Sequence, residues 1–367
     1  MPHWITTPAA LLAHFDPKPA RIGLDTEFIR ERTYWPQLAL VQIAIEREAE
    51  AEPVILLIDP LRPGIAEALA PILADTAILK IAHSPSEDLV AFKRACGVVP
   101  KPLFDTQQAA ALAGIGGGLG YQKLVEQLTG VTLAKGETRS DWLRRPLSPS
   151  QLEYAADDVR HLFAMHDALD GLLGQLGRRD WLAEDAARTV ANAENEAPER
   201  WPHLSMRSAQ FLDAAAQRRL LRLLRWRDGY ARDSDKPRSW ILDNELAATL
   251  AKQAPSDRDA LQRLLDAHPK APRKLADAIW TALSTPLADE DQAPDAAVAE
   301  TRDKQRLRQL QDAVAQRSAA LGLPDGVLAS RRWLEALLDH GIWPEALSGW
   351  RRSALEPALA PLLANRD

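Results

Sequence analysis

The chain has 367 residues, 46% of them apolar and 26% charged, which leaves room for two or three domains with ordinary cores and excludes wholesale disorder. A net charge of −6 and a pI near 5.8 exclude a protein that coats a polyanion with its whole surface, so any such partner must be gripped locally. A single cysteine, Cys96, excludes an internal disulfide and a cysteine-based zinc site, which suits a reducing cytoplasm, and the eight histidines are scattered without a close metal-ligand pair.

Met1 to Asp16 lacks a basic n-region and a long apolar core, and no later run is apolar for the length of a membrane span. Neither a signal peptide nor a membrane segment is expected. Arg21 to Ile29 reads as a strand. Alternation points Ile22, Leu24, Thr26 and Phe28 one way and Gly23, Asp25 and Glu27 the other. Two carboxylates then share one face, roughly 6.6 Å apart along the strand. Either the strand is an exposed edge whose acids meet solvent, or a divalent cation neutralises them.

Two further strands, Leu38 to Ala44 and Val54 to Ile58, flank a charged turn at Glu46 to Glu52 and complete an antiparallel meander. The pattern then alternates: helix Ile65 to Leu73, strand Ile78 to Ala82, helix Ser86 to Cys96, strand Leu103 to Asp105. Such alternation implies parallel strands with helical crossovers, hence a mixed sheet flanked by helices. Glu87 and Asp88 fall in the first turn of a helix at the carboxyl end of a strand. There they either complement the helix dipole or serve a ligand site.

Gly114 to Gly120 follows a helix and lacks the Lys-Ser/Thr of a phosphate loop, so it reads as a flexible connection before a helix from about Leu119 to Thr129. The loop carrying Lys135, Arg139, Asp141, Trp142, Arg144 and Arg145 is either a backbone grip or a solvated loop. Ser148 caps a helix with Pro149 at its first position. Within it Tyr154 and Asp158 lie one turn apart on a single face, with Asp157 rotated away.

Ala191 to Pro202 is a polar, proline-containing break. From Ser208 to about Leu283 apolar residues recur at helical spacing, with Leu220, Leu221, Leu224, Leu242, Leu246, Leu250, Leu261, Leu264 and Leu265 as core. Arg218, Arg222 and Arg225 form a separate stripe, either a solvated face or a phosphate contact. Ser284 to Glu300 is acidic and poor in large apolar residues, a mobile linker by composition. A last helical stretch uses Leu307, Leu310, Val314, Leu334, Leu337, Leu338 and Trp343 for a small core. The expected domains are therefore 1–195, 205–285 and 301–367, with a linker at 286–300.

Taken together, Asp25, Glu27, Asp88, Tyr154 and Asp158 resemble, in order and spacing, the DEDDy family of 3′-5′ exonucleases. Pro36 to Gln42, Phe104-Asp105-Thr106 and Ser140 to Leu147 resemble its ribonuclease D branch. Leu223 to Arg227, Asp235-Lys236-Pro237 and Asp243 to Leu246 resemble the HRDC domain, a helical nucleic-acid-binding module attached to ribonuclease D and to RecQ helicases. Pro85 departs from the small or polar residue expected in the second motif.

The resemblance implies an α/β ribonuclease H-like exonuclease domain followed by two small all-α HRDC-type domains, the second degenerate. It implies two divalent cations, Mg²⁺ or Mn²⁺. Asp25 would bridge both, Glu27 and Asp158 would complete one site, Asp88 would hold the other, and Tyr154 would orient the attacking water. Phosphodiester cleavage suits such a pair, which generates a nucleophile and stabilises two oxygens. The expected activity is 3′ trimming of structured RNA, chiefly tRNA precursors, releasing nucleoside 5′-monophosphates in the cytoplasm with no membrane and no obligate protein partner. Lys135, Arg139, Trp142, Arg145, Arg218, Arg222 and Arg225 are the expected RNA contacts. A DNA exonuclease of the same superfamily and a non-catalytic binding protein are the alternatives.

Overall fold

A computed structural model describes residues 2–47, 52–134, 136, 140–296 and 303–364. The chain forms two compact units. The first contains residues 1–29, 36–196 and 305–367, and the second contains 30–35 and 197–304.

The first unit is built on six strands: β1 (His3–Ile5), β2 (Arg21–Ile29), β3 (Gln37–Ile45), β4 (Val54–Ile58), β5 (Leu79–Ala82) and β6 (Leu103–Asp105), ordered β1-β4-β3-β2-β5-β6. The meander β2-β3-β4 is antiparallel, and β1, β5 and β6 add to it in parallel. In β3 the run from Leu38 to Ile45 is buried throughout, because helices cover both sheet faces. On one face lie α1 (Pro8–Ala13), α2 (Ile65–Ala74) and α3 (Ser86–Cys96), whose Leu11, Ile65, Leu69, Ile72 and Phe92 meet Ile22, Leu24, Val41 and Ile43.

The chain then runs through α4 (Thr106–Leu112), α5 (Tyr121–Thr129), α6 (Pro149–Arg160), α7 (Leu162–Leu176) and α8 (Arg179–Asn195). Ala155, Ala156 and Val159 of α6 and Leu162 of α7 pack with Leu40 and Ala44 on the other face. The small residues of α6 and Gly23 of β2 let helix and sheet approach closely. A Cβ at Gly23 would stand 3.1 Å from both Ala44 Cβ and Leu162 Cδ1. Ser148 and Gln151 form a reciprocal capping box that fixes where α6 begins.

The second unit holds α9 (Ala214–Ser234), α10 (Arg238–Ile241), α11 (Asn244–Gln253), α12 (Arg258–Ala267) and α13 (Ala276–Ser284). Asp213, Asp243 and Asp257 each accept a backbone N–H at the start of α9, α11 and α12, satisfying donors that a helix start leaves open. Leu220, Leu224, Leu246, Leu250, Leu261 and Leu265 meet in its core. The acidic stretch after α13 differs from a mobile linker as far as residue 296. Asp289 and Glu290 pair with Arg225 and Arg222 of α9, and Glu290 is buried. Its acids are the counterions of the arginine stripe. Segment 30–35 belongs to the same unit: Tyr34 and Trp35 N–H groups both donate to Asp235 Oδ1 at 3.0 Å, and Tyr34 Oη donates to Asp228 Oδ1 at 3.0 Å.

Residues 305–367 carry α14 (Lys304–Leu321), α15 (Arg331–His340) and α16 (Trp350–Ala364) and pack into the first unit rather than forming a third. The Trp350 indole stacks on Trp181 of α8 at 4.4 Å and 6°. Trp350 Nε1 and Arg351 Nη1 both donate to the buried Asp185, at 3.1 and 2.5 Å.

Candidate active site

Asp25 and Glu27 project from β2 toward the face that α6 covers, because Ile22 and Leu24 turn to the opposite core. Directly across from Asp25 on β3 stands Gln42, fully buried, with neither amide atom hydrogen-bonded. Asp158 reaches the same face from α6, and the Tyr154 hydroxyl one turn earlier donates to its carboxylate. Asp88 arrives from the other side of the sheet, in the first turn of α3. It accepts a hydrogen bond from the Thr26 hydroxyl, so the residue between the two strand acids holds the third.

All four carboxyls sit above the usual carboxylate range. Asp25 is raised most clearly, by burial first and then by the charges of Asp88, Asp158 and Glu27. Burial, followed by Asp158 and Asp88, pushes Glu27 up to about 8. Asp158 lies at about 7 and Asp88 at about 6, each raised by burial and eased by the bond from Tyr154 or Thr26. No arginine or lysine is among the main charges acting on any of them. Among the described residues, no three acid or imidazole groups already stand close enough to enclose an ion. Asp88 is turned to Thr26 and Asp158 to Tyr154. The set is oxygen-only, partly desolvated and without a counterion, and it fits hard divalent cations. Asp25 and Glu27 from β2, Asp88 from α3 and Asp158 from α6 act on one another electrostatically without closing around an ion.

Several supporting residues carry no sequence signal of their own. Asp105 Oδ1 accepts from the N–H groups of Ser84 and Gln107, both at 2.9 Å. It thereby holds Ser84 at a φ of 56°, in the turn that launches α3. The same turn places Pro85 at the helix start. His83 is held neutral, its pKa lowered to about 4 by burial. Its Nε2 lies 3.0 Å from Leu119 O and its Nδ1 2.9 Å from Thr106 Oγ1. Phe104-Asp105-Thr106 therefore shapes the Asp88 turn. The Tyr121 hydroxyl donates to Asp157 O at 2.7 Å and accepts from His161 N at 3.3 Å, bracing the end of α6 beside Asp158. Gly136 is required by close approach: a Cβ there would stand 1.9 Å from Tyr154 Cε2.

The described residues among those expected to contact RNA are engaged within the protein. Trp142 is buried in the core under the Tyr154 ring, 6.1 Å away. Arg145 donates to Asp59 Oδ1 at 2.7 Å and to Ala39 O at 2.6 Å. Burial raises Asp59, but the Arg145 bonds outweigh it and hold the carboxyl below its usual range. Arg222 Nε donates to Glu290 at 2.6 Å and Arg225 Nη1 to Asp289 at 2.7 Å. Arg218 pairs with Asp291 at 3.6 Å. Lys135 and Arg139 lie outside the described residues. Among the described residues no helix is long and apolar enough to cross a membrane.

A family model of 3′-5′ exonucleases matches residues 2–173, and one of the HRDC domain matches residues 216–283. The chain is 64% identical to ribonuclease D of Xanthomonas oryzae over 364 residues, 99% of each chain. It is 37% identical to ribonuclease D of Pseudomonas paraeruginosa over 350 residues, 92% of this chain and 90% of that one. The crystal structure of Escherichia coli RNase D, an exoribonuclease involved in structured RNA processing, superposes with a TM-score of 0.80 at 30% identity, covering 100% of this chain and 99% of that one. With a mixed sheet that gathers four acids and a helical HRDC domain behind it, the chain belongs to the ribonuclease D family of 3′-5′ exoribonucleases.

Proposed function

We propose that this exoribonuclease trims the 3′ ends of structured RNA, chiefly tRNA precursors, and releases nucleoside 5′-monophosphates. Its catalytic residues are Asp25, Glu27, Asp88, Tyr154 and Asp158, and the four acids hold two divalent cations. It works in the cytoplasm without an obligate protein partner. In this reading 1–195 is the exonuclease domain, 205–285 the HRDC domain and 301–367 a degenerate second copy that packs into the first compact unit. The observation that carries the proposal is the set of four partly desolvated carboxylates with raised pKa values and no basic partner.

The ribonuclease D fold is metal-dependent. Asp25, Glu27, Asp88 and Asp158 would hold Mg²⁺ or Mn²⁺, whose positive charge would offset theirs and lower the pKa of water beside the scissile phosphate. Asp25, Glu27 and Asp158 orient that charge from the sheet face under α6, and Asp88 does so from α3, held by Thr26. The Tyr154 phenol is pushed above its usual range by burial and then by Asp158 and Glu27. It stays protonated at neutral pH, so with its proton directed at Asp158 it orients water through its hydroxyl oxygen rather than accepting a proton as base. Water oxygen bonds to phosphorus, the bond to the preceding 3′ oxygen breaks, and the shortened RNA keeps a 3′-hydroxyl.

A tRNA precursor with a 3′ tail, incubated with Mg²⁺ or with chelator, tests the proposal. Stepwise shortening with release of mononucleotides only in Mg²⁺ is expected. Equal digestion of a matched DNA strand would favour the DNA exonuclease reading, and RNA binding without shortening would favour a binding-only protein.

A further inference from the structure

A cleft of about 630 Å³ in the second unit is lined by Arg30, Tyr34, Arg227, Arg238, Ser239 and Asn244, among others, and contains no carboxylate. Three arginines on one cleft stand out in a chain of net charge −6. Arg227 is only 9% exposed. Its Nη1 donates to Leu242 O at 2.9 Å and to Asn244 Oδ1 at 2.7 Å, while its buried Nε has no hydrogen-bond partner. No acid pairs with it among the described residues. A guanidinium drawn this far from water without a carboxylate is costly to the fold.

Arg238 is aimed from behind. Its Nε donates to Asp228 at 2.5 Å and its Nη2 to the Tyr34 hydroxyl at 2.6 Å, yet its side chain stays 47% exposed. A second cavity of about 550 Å³ shares Arg227, Arg238 and Asn244 as walls but is lined by Glu199, Asp228 and Asp289 as well, so only the first cleft suits an anion. Preset guanidinium forks beside hydroxyl and amide groups match the geometry of a phosphate group. Trp240, 58% exposed, follows Ser239 directly in the chain. It lines neither cavity, and an exposed indole one residue from a cleft-lining serine is a stacking platform for a base adjoining the bound phosphate.

We infer that this cleft binds a backbone phosphodiester of the RNA other than the one cleaved, with Trp240 stacking on a neighbouring base. The identity of the polyanion rests on the exoribonuclease reading above.

The test uses the full chain in chelator, so that a labelled single-stranded oligoribonucleotide is bound and not cut. Ser239→Glu sets a carboxylate against the arginines without removing an internal bond. It should weaken binding about tenfold and reduce the slope of log affinity against log salt by about one. Its melting temperature should hold or rise. Trp240→Ala should weaken binding about tenfold with the slope unchanged. Unchanged affinity and slope in Ser239→Glu overturn the site. Inorganic phosphate that raises the wild-type melting temperature, with RNA binding unaltered in both variants, assigns the cleft to a free anion and overturns the RNA assignment. Cleavage of a diribonucleotide in Mg²⁺ is read separately. Its failure in a protein showing the expected variant pattern counts against the acid cluster as a catalytic centre and leaves this cleft supported.

Discussion

The two units treat charge in opposite ways. In the first, Asp25, Glu27, Asp88 and Asp158 share one site with no basic partner, and each is raised toward neutrality by burial. In the second, Arg222 and Arg225 of α9 are matched to Glu290 and Asp289, and the acidic segment that follows α13 is folded against them. Matched charge is architecture here, and the proposed binding sites are where charge goes unmatched, at some cost to the fold. By that criterion Arg227, buried and bonded to no carboxylate among the described residues, belongs with the proposed binding groups.

The largest effect expected from this contrast is on catalysis. Asp25→Asn should reduce RNA trimming by at least about 10³-fold, on the order of 4 kcal/mol of transition-state stabilisation, while chelator-treated protein still binds RNA as before. Near-full activity in that variant would sink the metal assignment. Arg222→Met should instead leave Glu290 buried and unpaired, lowering stability by about 3 kcal/mol in urea denaturation with the trimming rate per folded molecule unchanged. Loss of RNA affinity without loss of stability would make Arg222 a substrate contact after all. Tyr154→Phe removes the donor bonded to Asp158, and about a 30-fold fall in kcat is expected, near 2 kcal/mol. Tyr121→Phe loosens only the brace at the end of α6. A drop of about fivefold is expected, reporting roughly 1 kcal/mol, and a drop as large as that of Tyr154→Phe would promote it to a direct role.

The pH response follows from the same acids. A carboxyl whose folded pKa is raised contributes stability that is complete below its unfolded value near 4 and disappears as pH rises through the folded value. For Asp88, Asp158 and Glu27 those folded values are about 6, 7 and 8. Metal-free protein should therefore lose stability steadily between about pH 4 and 8. Mg²⁺ should restore more at pH 8 than at pH 5.

Much of the site is legible because its geometry is local. Strand parity puts Asp25 and Glu27 on one face, and the Ser148 cap fixes α6 so that Tyr154 and Asp158 stay one turn apart. What escapes a reading of the sequence depends on where elements cross. Thr26 turns away from the strand acids, and only the packing of α3 brings Asp88 to its hydroxyl. Trp142 and Arg145 look like a nucleic-acid grip in a polar loop, yet one fills the core and the other answers Asp59, a residue 86 positions away. The acidic stretch from 284 reads as mobile because its arginine partners lie more than sixty residues back. Lys80 sits in a strand where alternation would suggest an outward lysine, but it is wholly buried, with Nζ donating to Asp75 O at 2.5 Å and Lys101 O at 2.7 Å.

The most direct test is the melting temperature of full-length protein in chelator at pH 8, wild type beside Asp25→Asn, followed by addition of Mg²⁺. If the acids are unmatched charges kept for cations, the asparagine variant melts higher than wild type in chelator and gains little from Mg²⁺, whereas wild type gains strongly. An asparagine variant that melts lower in chelator, or that Mg²⁺ stabilises as much as wild type, would contradict the account.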